Sequence, residues 1–300
     1  MSVTPSPVTD SYRDEIKHVN LLVEALPYIQ SFRGKCVVIK YGGSAMEDSQ
    51  LMDIVLRDVV FLEAVGINPV IVHGGGKAIT RKMEQKGIKA AFASGFRITD
   101  AATIEIVDEV LNKEINPGIV ERLASFGGKA RSMSGREVFK VVKAPPVDNP
   151  AGPVDLGFVG EVSECATRDV KELVRKEIVP VISPVGDDGK GQPYNINADV
   201  AAAEMAIALK AYKIIFISDV NGILQDEKNP HSTISTVTSQ GIDELKRTGI
   251  VRGGMLPKVD SCLKALQNGV KQIHLIDGRI PHSLLLELFT QRGIGTEIVA

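Results

Sequence analysis

Cysteine, long apolar runs and net charge are all scarce in this 300-residue chain. The three cysteines, Cys36, Cys165 and Cys262, are far apart and without CxxC spacing, a pattern that suggests neither a disulfide framework nor a zinc site and that is natural in a reducing cytoplasm. No apolar run reaches the roughly 18 residues of a membrane helix, and no targeting segment is apparent. The net charge of -2 gives no field for nucleic acid. We therefore predict a cytoplasmic protein without membrane or nucleic-acid partners, whose anionic ligands are small and held by local donors.

The composition is that of a globular α/β protein, with 44% hydrophobic and 24% charged residues. The length fits one large domain or two modest lobes, because single cores stop growing near roughly 250 to 300 residues. We predict two lobes that share one sheet, residues 35–184 and 185–300, preceded by an N-terminal segment over residues 1–34.

Short β-branched runs alternate with longer amphipathic runs from residue 36 onward. The runs at 36–41 and 69–73 are typical of strands and those at 51–65 and 78–86 of helices, which gives βαβα order. The strands do not alternate with polar residues, as expected for a mainly parallel sheet buried on both faces. Two glycine-punctuated stretches, 89–99 and 152–162, predict hairpins over the sheet edge that form a lid. The pattern resumes with strands at 178–183, 213–218 and 272–276 and with helices at 198–209, 257–268 and 282–290.

The N-terminal segment has two parts. Residues 1–8 are rich in Ser, Thr and Pro and are predicted to form a mobile tail. A helix is predicted over residues 11–30, with Pro27 kinking or ending it. Its apolar residues recur at steps of three and four and share one face: Ile16, Val19, Val23, Leu26 and Ile29.

Two glycine-containing loops each follow a buried strand and precede a helix. VIKYGGSAM, over residues 38–46, places Lys40 inside an apolar strand, and VHGGGKAI, over residues 72–79, repeats the arrangement. Glycine lets backbone N–H groups approach an anion closely, and the start of a helix adds positive potential. An unpaired ammonium inside an apolar strand is costly, so Lys40 is expected to face a site at the strand's C-terminal end. Taken singly, each loop is equally well explained as an ordinary turn.

Three further segments carry polar side chains at the ends of apolar runs. In NINADVAA, capping by Asn197 or Asp199 leaves unexplained why Asn195, Asn197 and Asp199 stand at alternate positions, which in an extended chain project to one side. ISDVNGI follows another apolar strand. In GGMLPKV, Lys258 stands in the first turn of a helix, against the helix dipole, a conflict that a nearby anion resolves.

Two familiar phosphate-binding patterns are absent from these loops. Neither loop matches GxxxxGK[ST], and the glycine triplet does not supply the GxGxxG spacing of a dinucleotide turn. A nicotinamide-dependent dehydrogenase is therefore disfavoured.

Seven ordered blocks, VIKYGGSAM, VHGGGKAI, GFRITD, NINADVAA, ISDVNGI, GGMLPKV and HLIDGR, resemble the amino acid kinase family from about residue 35 to residue 300. The resemblance implies an open αβα sandwich in which the lobe 35–184 binds the amino acid and the lobe 185–300 binds ATP. Within the family, the chain is similar to members that phosphorylate the γ-carboxylate of N-acetyl-L-glutamate in the second step of arginine biosynthesis. A carboxylate is already ionised at pH 7, so its attack on ATP needs no general base.

The resemblance also implies a role for each matched residue. Lys40 and Lys258 would flank the transferring phosphoryl group, Asp199 would orient both lysines, and Arg97 would pair with the substrate α-carboxylate. The acceptor-binding residues would be Gly75, Gly76, Arg97, Asn195 and Asn197. The ATP-binding residues would be Gly42, Gly43, Ser218, Asp219, Asn221, Gly222, Ile223 and Arg252. Mg²⁺ would be held by the phosphates and not directly by the protein.

The segment 1–34 resembles the extra helix of the arginine-sensitive members, whose helices interlace dimers into a hexameric ring, a trimer of dimers. That likeness implies feedback inhibition by arginine bound between this helix and the C-terminal lobe. The matched effector residues are His274, Glu287, Gly293 and, more loosely, Tyr12. The alternative for His274 is a satisfied histidine within a strand. A nitrogen-signalling PII protein is a candidate partner of such a ring.

Two alternatives stay open. Another amino acid kinase, such as glutamate 5-kinase, shares the fold and the phosphate chemistry. A non-catalytic ligand-binding module of the same fold is a second alternative, although it would be expected to have lost Lys40, Asp199 or Lys258, and all three are present.

Overall fold

Strands and helices alternate through residues 12–149, 152–290 and 293–300, which the computed structural model of the chain describes. The strands and helices predicted between residues 36 and 290 are present within two residues of their predicted ends, apart from the two predicted hairpins at 89–99 and 152–162. The strands are β1 (Cys36–Tyr41), β2 (Asn68–His73), β3 (Phe92–Ala93), β4 (Phe96–Arg97), β5 (Ala130–Met133), β6 (Phe139–Lys143), β7 (Gly160–Cys165), β8 (Val179–Ile182), β9 (Val185–Asp187), β10 (Pro193–Asn195), β11 (Lys213–Ser218), β12 (Thr236–Thr238), β13 (Gln272–Asp277) and β14 (Thr296–Val299).

Helices cover both faces of the main sheet. The segment Val110–Ile115 between α4 and α5 is π-helical, and short 3₁₀ turns lie at Ser44–Met46 and Gly135–Glu137. The α-helices are α1 (Arg13–Phe32), α2 (Ser49–Ala64), α3 (Gly76–Gln85), α4 (Ala101–Glu109), α5 (Asn116–Ser125), α6 (Arg168–Arg175), α7 (Ala198–Leu209), α8 (Ser239–Arg247), α9 (Met255–Gln267) and α10 (Ser283–Phe289).

The main sheet has eight strands in the order β12-β14-β13-β11-β1-β2-β8-β5. All neighbouring pairs are parallel except β13 with β14. Side chains alternate between the two faces of β1, so Val38 packs with α7 and α9 on one face while Val37 and Ile39 pack with α2 and α5 on the other. The predicted three-layer αβα sandwich with a mainly parallel sheet is therefore confirmed.

The lid region differs in part from the prediction. The stretch 89–99 does form a hairpin, with Phe92 opposite Arg97 and Ala93 opposite Phe96. The stretch 152–162 does not form a hairpin of its own, so that prediction was wrong. Its second half enters β7, which pairs with β6 in a separate four-stranded sheet of order β10-β9-β6-β7. Short strands with few apolar residues gave no clear period in the sequence, and pairing across long sequence distances selected the register.

Helix α1 runs through Pro27 to Phe32, so the prediction that Pro27 could end the helix was wrong. Most of its predicted apolar face is exposed: Val19 and Val23 are 56% and 60% exposed, and Ile16 and Leu26 are exposed too. Only the end of the helix packs on the rest of the chain, where Tyr28 meets Phe289 edge to face with ring centroids 6.4 Å apart. The predicted tail over residues 1–8 lies outside the described residues.

Within the described ranges, every helix falls short of the length or the apolar character that crossing a bilayer requires. The three cysteines are free thiols.

Candidate active site

Two buried lysines share one buried carboxylate at the C-terminal end of the central strands. The Lys40 ammonium, on β1, lies 3.0 Å from Oδ1 of Asp199, and the Lys258 ammonium, on α9, donates a hydrogen bond of 2.8 Å to Oδ2 of the same side chain. Lys258 also lies over the Phe216 ring, 5.3 Å from its centroid. Residues that are 59 or more positions apart in the sequence therefore meet at one point.

The charges of this trio do not cancel. Burial alone would raise the pKa of Asp199, but attraction and hydrogen bonds from the two ammonium groups outweigh burial and hold its pKa below the usual range. Burial, together with repulsion from Lys258, lowers the pKa of Lys40, and Asp199 only partly offsets this. Two cations facing one anion leave a net positive charge in a buried position, which suits a small anion.

Asn197 positions Asp199 by starting the helix that carries it. Its side-chain Oδ1 accepts a hydrogen bond of 2.8 Å from the Asp199 N–H, which is an N-cap. Asn195, two residues earlier, donates from Nδ2 to Oγ1 of Thr99 at 3.3 Å. Capping thus explains Asn197 by itself. Asn195, Asn197 and Asp199 all line one cavity, whereas the side chain of Ile196 between them belongs to the hydrophobic core.

That cavity, of about 240 Å³, joins Lys40 and Asp199 to both glycine loops. Gly42 packs against the Lys40 side chain so closely that a Cβ would lie 2.7 Å from the ammonium nitrogen. A Cβ on Gly75 would lie 2.6 Å from Cδ1 of Ile115, in the π-helical segment. A Cβ at either position would therefore force a neighbouring side chain to move. The cavity is lined by Lys40, Gly42, Gly43, Gly74, Gly75, Gly76, Arg97, Leu111, Asn195, Asn197 and Asp199, among others.

Arg97 is buried at the edge of this cavity. Its guanidinium donates hydrogen bonds of 2.8 Å to the Gly76 carbonyl and to Oγ1 of Thr80, and its Cζ lies over the Phe92 ring, 4.8 Å from the centroid. Burial lowers the pKa of Arg97, although a guanidinium remains charged at any physiological pH. The hairpin of β3 and β4 therefore brings a fixed positive charge beside the second glycine loop.

Asp219 ties the first glycine loop to the end of β11. Its Oδ1 accepts hydrogen bonds from the N–H and, at 2.8 Å, from the hydroxyl of Ser44, while Oδ2 lies 3.7 Å from the Lys77 ammonium. Burial would raise the pKa of Asp219, but the Ser44 hydrogen bonds and the Lys77 charge outweigh it and lower the pKa. Among the described residues, Oδ2 thus has an ionic partner but no hydrogen-bond donor.

The other residues predicted to bind ATP differ from one another in burial and in contacts. Gly222 has a φ of 71° and packs against Thr296, so it is a structural turn residue. Ile223 is only 2% exposed, and its N–H donates to Oγ1 of Thr296 at 2.7 Å, so its side chain belongs to the core and not to the site. Ser218 and Asn221 each keep a buried oxygen without a partner among the described residues. Arg252 lies on the surface and pairs with Glu227 at 2.7 Å.

Three of the four predicted effector residues, His274, Glu287 and Gly293, lie together in a second cluster away from this cavity. His274 on β13 pairs with Glu287 on α10, and Glu287 accepts a hydrogen bond of 2.8 Å from the Ile294 N–H, next to Gly293. Tyr12, at the start of α1, is 56% exposed. Sequence reasoning missed Lys213 in this cluster, whose pKa burial lowers to about 8. The sequence feature that could have indicated Lys213 is the one that indicated Lys40, namely a lysine within a β-branched strand.

Comparisons with known proteins agree along almost the whole chain. The amino acid kinase family model matches residues 35–277. An acetylglutamate kinase of Heliobacterium modesticaldum is 47% identical over 290 residues, which cover 95% of this chain and 98% of that protein. An acetylglutamate kinase of Synechocystis sp. is 49% identical over 282 residues, covering 94% of this chain and 93% of that protein.

Solved structures show the same architecture at lower sequence identity. The N-acetylglutamate synthase of Neisseria gonorrhoeae, complexed with coenzyme A and N-acetyl-glutamate, superposes with a TM-score of 0.83 at 22% identity, covering 94% of this chain and 63% of that chain. The carbamate kinase of Giardia lamblia bound to AMP-PNP superposes with a TM-score of 0.64 at 17% identity, covering 89% and 98%. At these identities the likeness shows the fold.

Proposed function

Since this chain belongs to the amino acid kinase family, we propose that it is an acetylglutamate kinase, which transfers the γ-phosphoryl group of ATP to the γ-carboxylate of N-acetyl-L-glutamate. The products are N-acetylglutamyl 5-phosphate and ADP, and the reaction is the second step of arginine biosynthesis. The observation that carries the proposal is the Lys40–Asp199–Lys258 arrangement, which holds two ammonium groups on one buried carboxylate beside two glycine loops.

The chemistry needs charge stabilisation and positioning more than proton transfer. The acceptor carboxylate is ionised at neutral pH, so its oxygen attacks phosphorus directly and the bond from phosphorus to the bridging oxygen of ADP breaks. Lys40 and Lys258 stabilise the oxygens of the transferring group, and Asp199 keeps the two ammonium groups at a fixed spacing before ATP binds. No residue of the cavity has to accept a proton.

The two loops divide the ligands between them. Gly42 and Gly43 donate backbone N–H groups to the phosphates, and Gly75 and Gly76 donate theirs to the acceptor carboxylate. Arg97 pairs with the α-carboxylate, to which its planar fork can donate two parallel hydrogen bonds. Asn195 receives the remaining polar end of the acceptor. In this proposal, residues 35–184 form the acceptor lobe and residues 185–300 the nucleotide lobe, where Ser218, Asp219 and Asn221 lie beside ATP.

Mg²⁺ is part of the proposal as the ion that ATP carries. Magnesium keeps several waters and binds mostly through substrate phosphates, so in this proposal the phosphates of ATP would hold the ion and no residue of the chain would ligate it directly. When bound, the ion neutralises charge on the phosphates.

The N-terminal helix is proposed to assemble a hexamer, as a trimer of dimers, and to carry regulation by arginine. Its exposed apolar side chains, such as Val19 and Val23, have no cover from the described part of this chain and suit burial against a second copy. Arginine is proposed to bind at His274, Glu287 and Gly293, near Tyr12. A PII signal protein as partner and a cytoplasmic location complete the proposal.

Hydroxylamine trapping of the acyl phosphate tests the function. With ATP and Mg²⁺, hydroxamate should form with N-acetyl-L-glutamate and not with glutamate, aspartate or carbamate, whereas glutamate 5-kinase would prefer free glutamate. Lys40→Ala and Lys258→Ala should each lower turnover by orders of magnitude while the protein stays folded. Near-normal turnover in both variants would refute the assignment, and no product with any acceptor would favour a binding module.

A further inference from the structure

His73, the last residue of β2, is a fully buried histidine that directly precedes the second glycine loop. Its ring Nδ1 lies 2.8 Å from the carbonyl oxygen of Gly74, and its Nε2 lies 3.1 Å from the amide Nδ2 of Asn116. A carbonyl oxygen can only accept, so Nδ1 carries the proton and donates to Gly74. The mechanism above gives this residue no part.

Asn116 fixes the other side of the ring. Its Nδ2 also donates to the carbonyl oxygen of Val181 at 2.9 Å, so the amide nitrogen must be the atom that faces His73. Nε2 therefore accepts, and the ring is neutral with a defined tautomer. Burial agrees with this assignment, because it lowers the pKa of His73 to about 4.

The bond to Gly74 determines where the next N–H points. The chain has no cis peptide among the described residues, so the C=O of Gly74 and the N–H of Gly75 point in opposite directions from one planar unit. With the carbonyl drawn towards the buried His73 ring, the Gly75 N–H points away from the ring. No described residue accepts a hydrogen bond from the N–H of Gly75 or Gly76, and both glycines line the cavity.

The π-helical segment packs against the same glycine loop. The side chains of Leu111 and Ile115 approach Gly75 so closely that a Cβ there would push them aside, and Asn116 follows the segment directly. A π-helical turn inserted in a helix commonly marks a functional site. It displaces the register of the following residues, and here the two packing side chains come from the π-helical segment and the amide that holds His73 from the residue directly after it.

We propose that His73 is a positioning residue, which orients the Gly74–Gly75 peptide so that the Gly75 N–H donates to the acceptor carboxylate, with Asn116 holding the ring. This inference rests on the proposed function, because it gives the Gly75 N–H an anionic acceptor to meet. His73 transfers no proton: both ring nitrogens are engaged and the ring is closed off from solvent.

A pair of substitutions at His73 distinguishes the hydrogen bond made by Nδ1 from the one made by Nε2. In His73→Asn the side-chain amide can occupy the place of Nδ1 and keep the donor to Gly74, whereas in His73→Gln it reaches the place of Nε2 and keeps only the contact to Asn116. Both variants remove the same buried imidazole ring. We expect His73→Gln to raise the Michaelis constant for N-acetyl-L-glutamate by roughly 10- to 100-fold, with His73→Asn within about fivefold of the wild type and the constant for ATP nearly unchanged in both.

Equal losses in the two variants, or equal changes for ATP and the acceptor, would overturn the inference. If the unchanged enzyme phosphorylates a different amino acid, the proposed function fails, and the same comparison is then made with that acceptor. If the variants do not fold, nitrogen-15 NMR of the histidine-labelled wild type decides. His73 should keep the neutral Nδ1–H form from pH 5.5 to pH 9, so a protonated ring or an Nε2–H form in that range refutes the proposal.

Discussion

Replacing Asp199 by Asn removes one buried negative charge from between two buried ammonium groups, while the shape of the side chain stays the same. The carboxylate oxygens lie 3.0 Å from the Lys40 nitrogen and 2.8 Å from the Lys258 nitrogen. Removing one partner of a buried ion pair costs about 3 to 5 kcal/mol, because the remaining charge is left uncompensated. Here two charges are left, so we expect the free energy of unfolding at pH 7 to fall by at least that amount.

The loss should shrink as the pH rises. Burial already lowers the pKa of Lys40, and without Asp199 this pKa falls further. The unfolded chain then binds more protons than the folded one between that lowered pKa and about 10.4, the ordinary value for lysine, so stability increases with pH across this range. Denaturant unfolding of the wild type and of Asp199→Asn at pH 7 and pH 9.5 measures both effects.

A matched control is Asp155→Asn. Asp155 pairs with Lys143 at 2.8 Å, but both side chains are more than half exposed, so this substitution should change stability little at either pH. An Asp199→Asn protein as stable as the wild type at pH 7, or one whose deficit is the same at pH 9.5, would contradict the charge balance described above.

Three further outcomes are expected. Arg97→Lys should raise the Michaelis constant for the acceptor by at least tenfold and that for ATP much less, because an ammonium cannot reproduce the guanidinium fork. Gly75→Ala should lower the free energy of unfolding by about 1 to 3 kcal/mol, whereas Gly76→Ala, where a Cβ meets open space, should not. Removal of residues 1–30 should leave an active dimer that arginine no longer inhibits.

Each of these outcomes has a result that contradicts it. Steady-state kinetics giving equal changes for both substrates would count against Arg97 as the carboxylate clamp. If urea titrations find Gly75→Ala and Gly76→Ala equally stable, the side chains of Leu111 and Ile115 move aside at little cost in free energy. A truncated protein that light scattering still finds hexameric, or that arginine still inhibits, would refute the role of the N-terminal helix.

The sequence predicted the parallel core because its strands are continuous β-branched runs bounded by glycine. The sequences of β1 and β11 predicted strands, and both ends of each strand were predicted correctly. The strands of the second sheet were missed because Gly160–Cys165 and Pro193–Asn195 are short and carry few apolar residues, so no period of two marks them in the sequence.

The site was predictable where chemistry requires an unusual residue. Lys40 and Lys258 stood out as charges in positions that an ordinary core or helix start does not favour. Ile223, by contrast, was placed in the site by its motif, although its side chain fills the core. His73 and Asn116 gave no signal, because neither residue type nor spacing reveals which peptide unit a buried ring will orient.

The central place of β1 also has a consequence for synthesis of the chain. β1 pairs with β2 on one side and with β11 on the other, and β11 lies about 170 residues later in the sequence. While the ribosome is still making the intervening residues, the apolar strand CVVIKY has one unsatisfied edge, which is a template for pairing with other chains. The strand that carries Lys40 is thus the last of the early strands to be enclosed, because its second neighbour is β11.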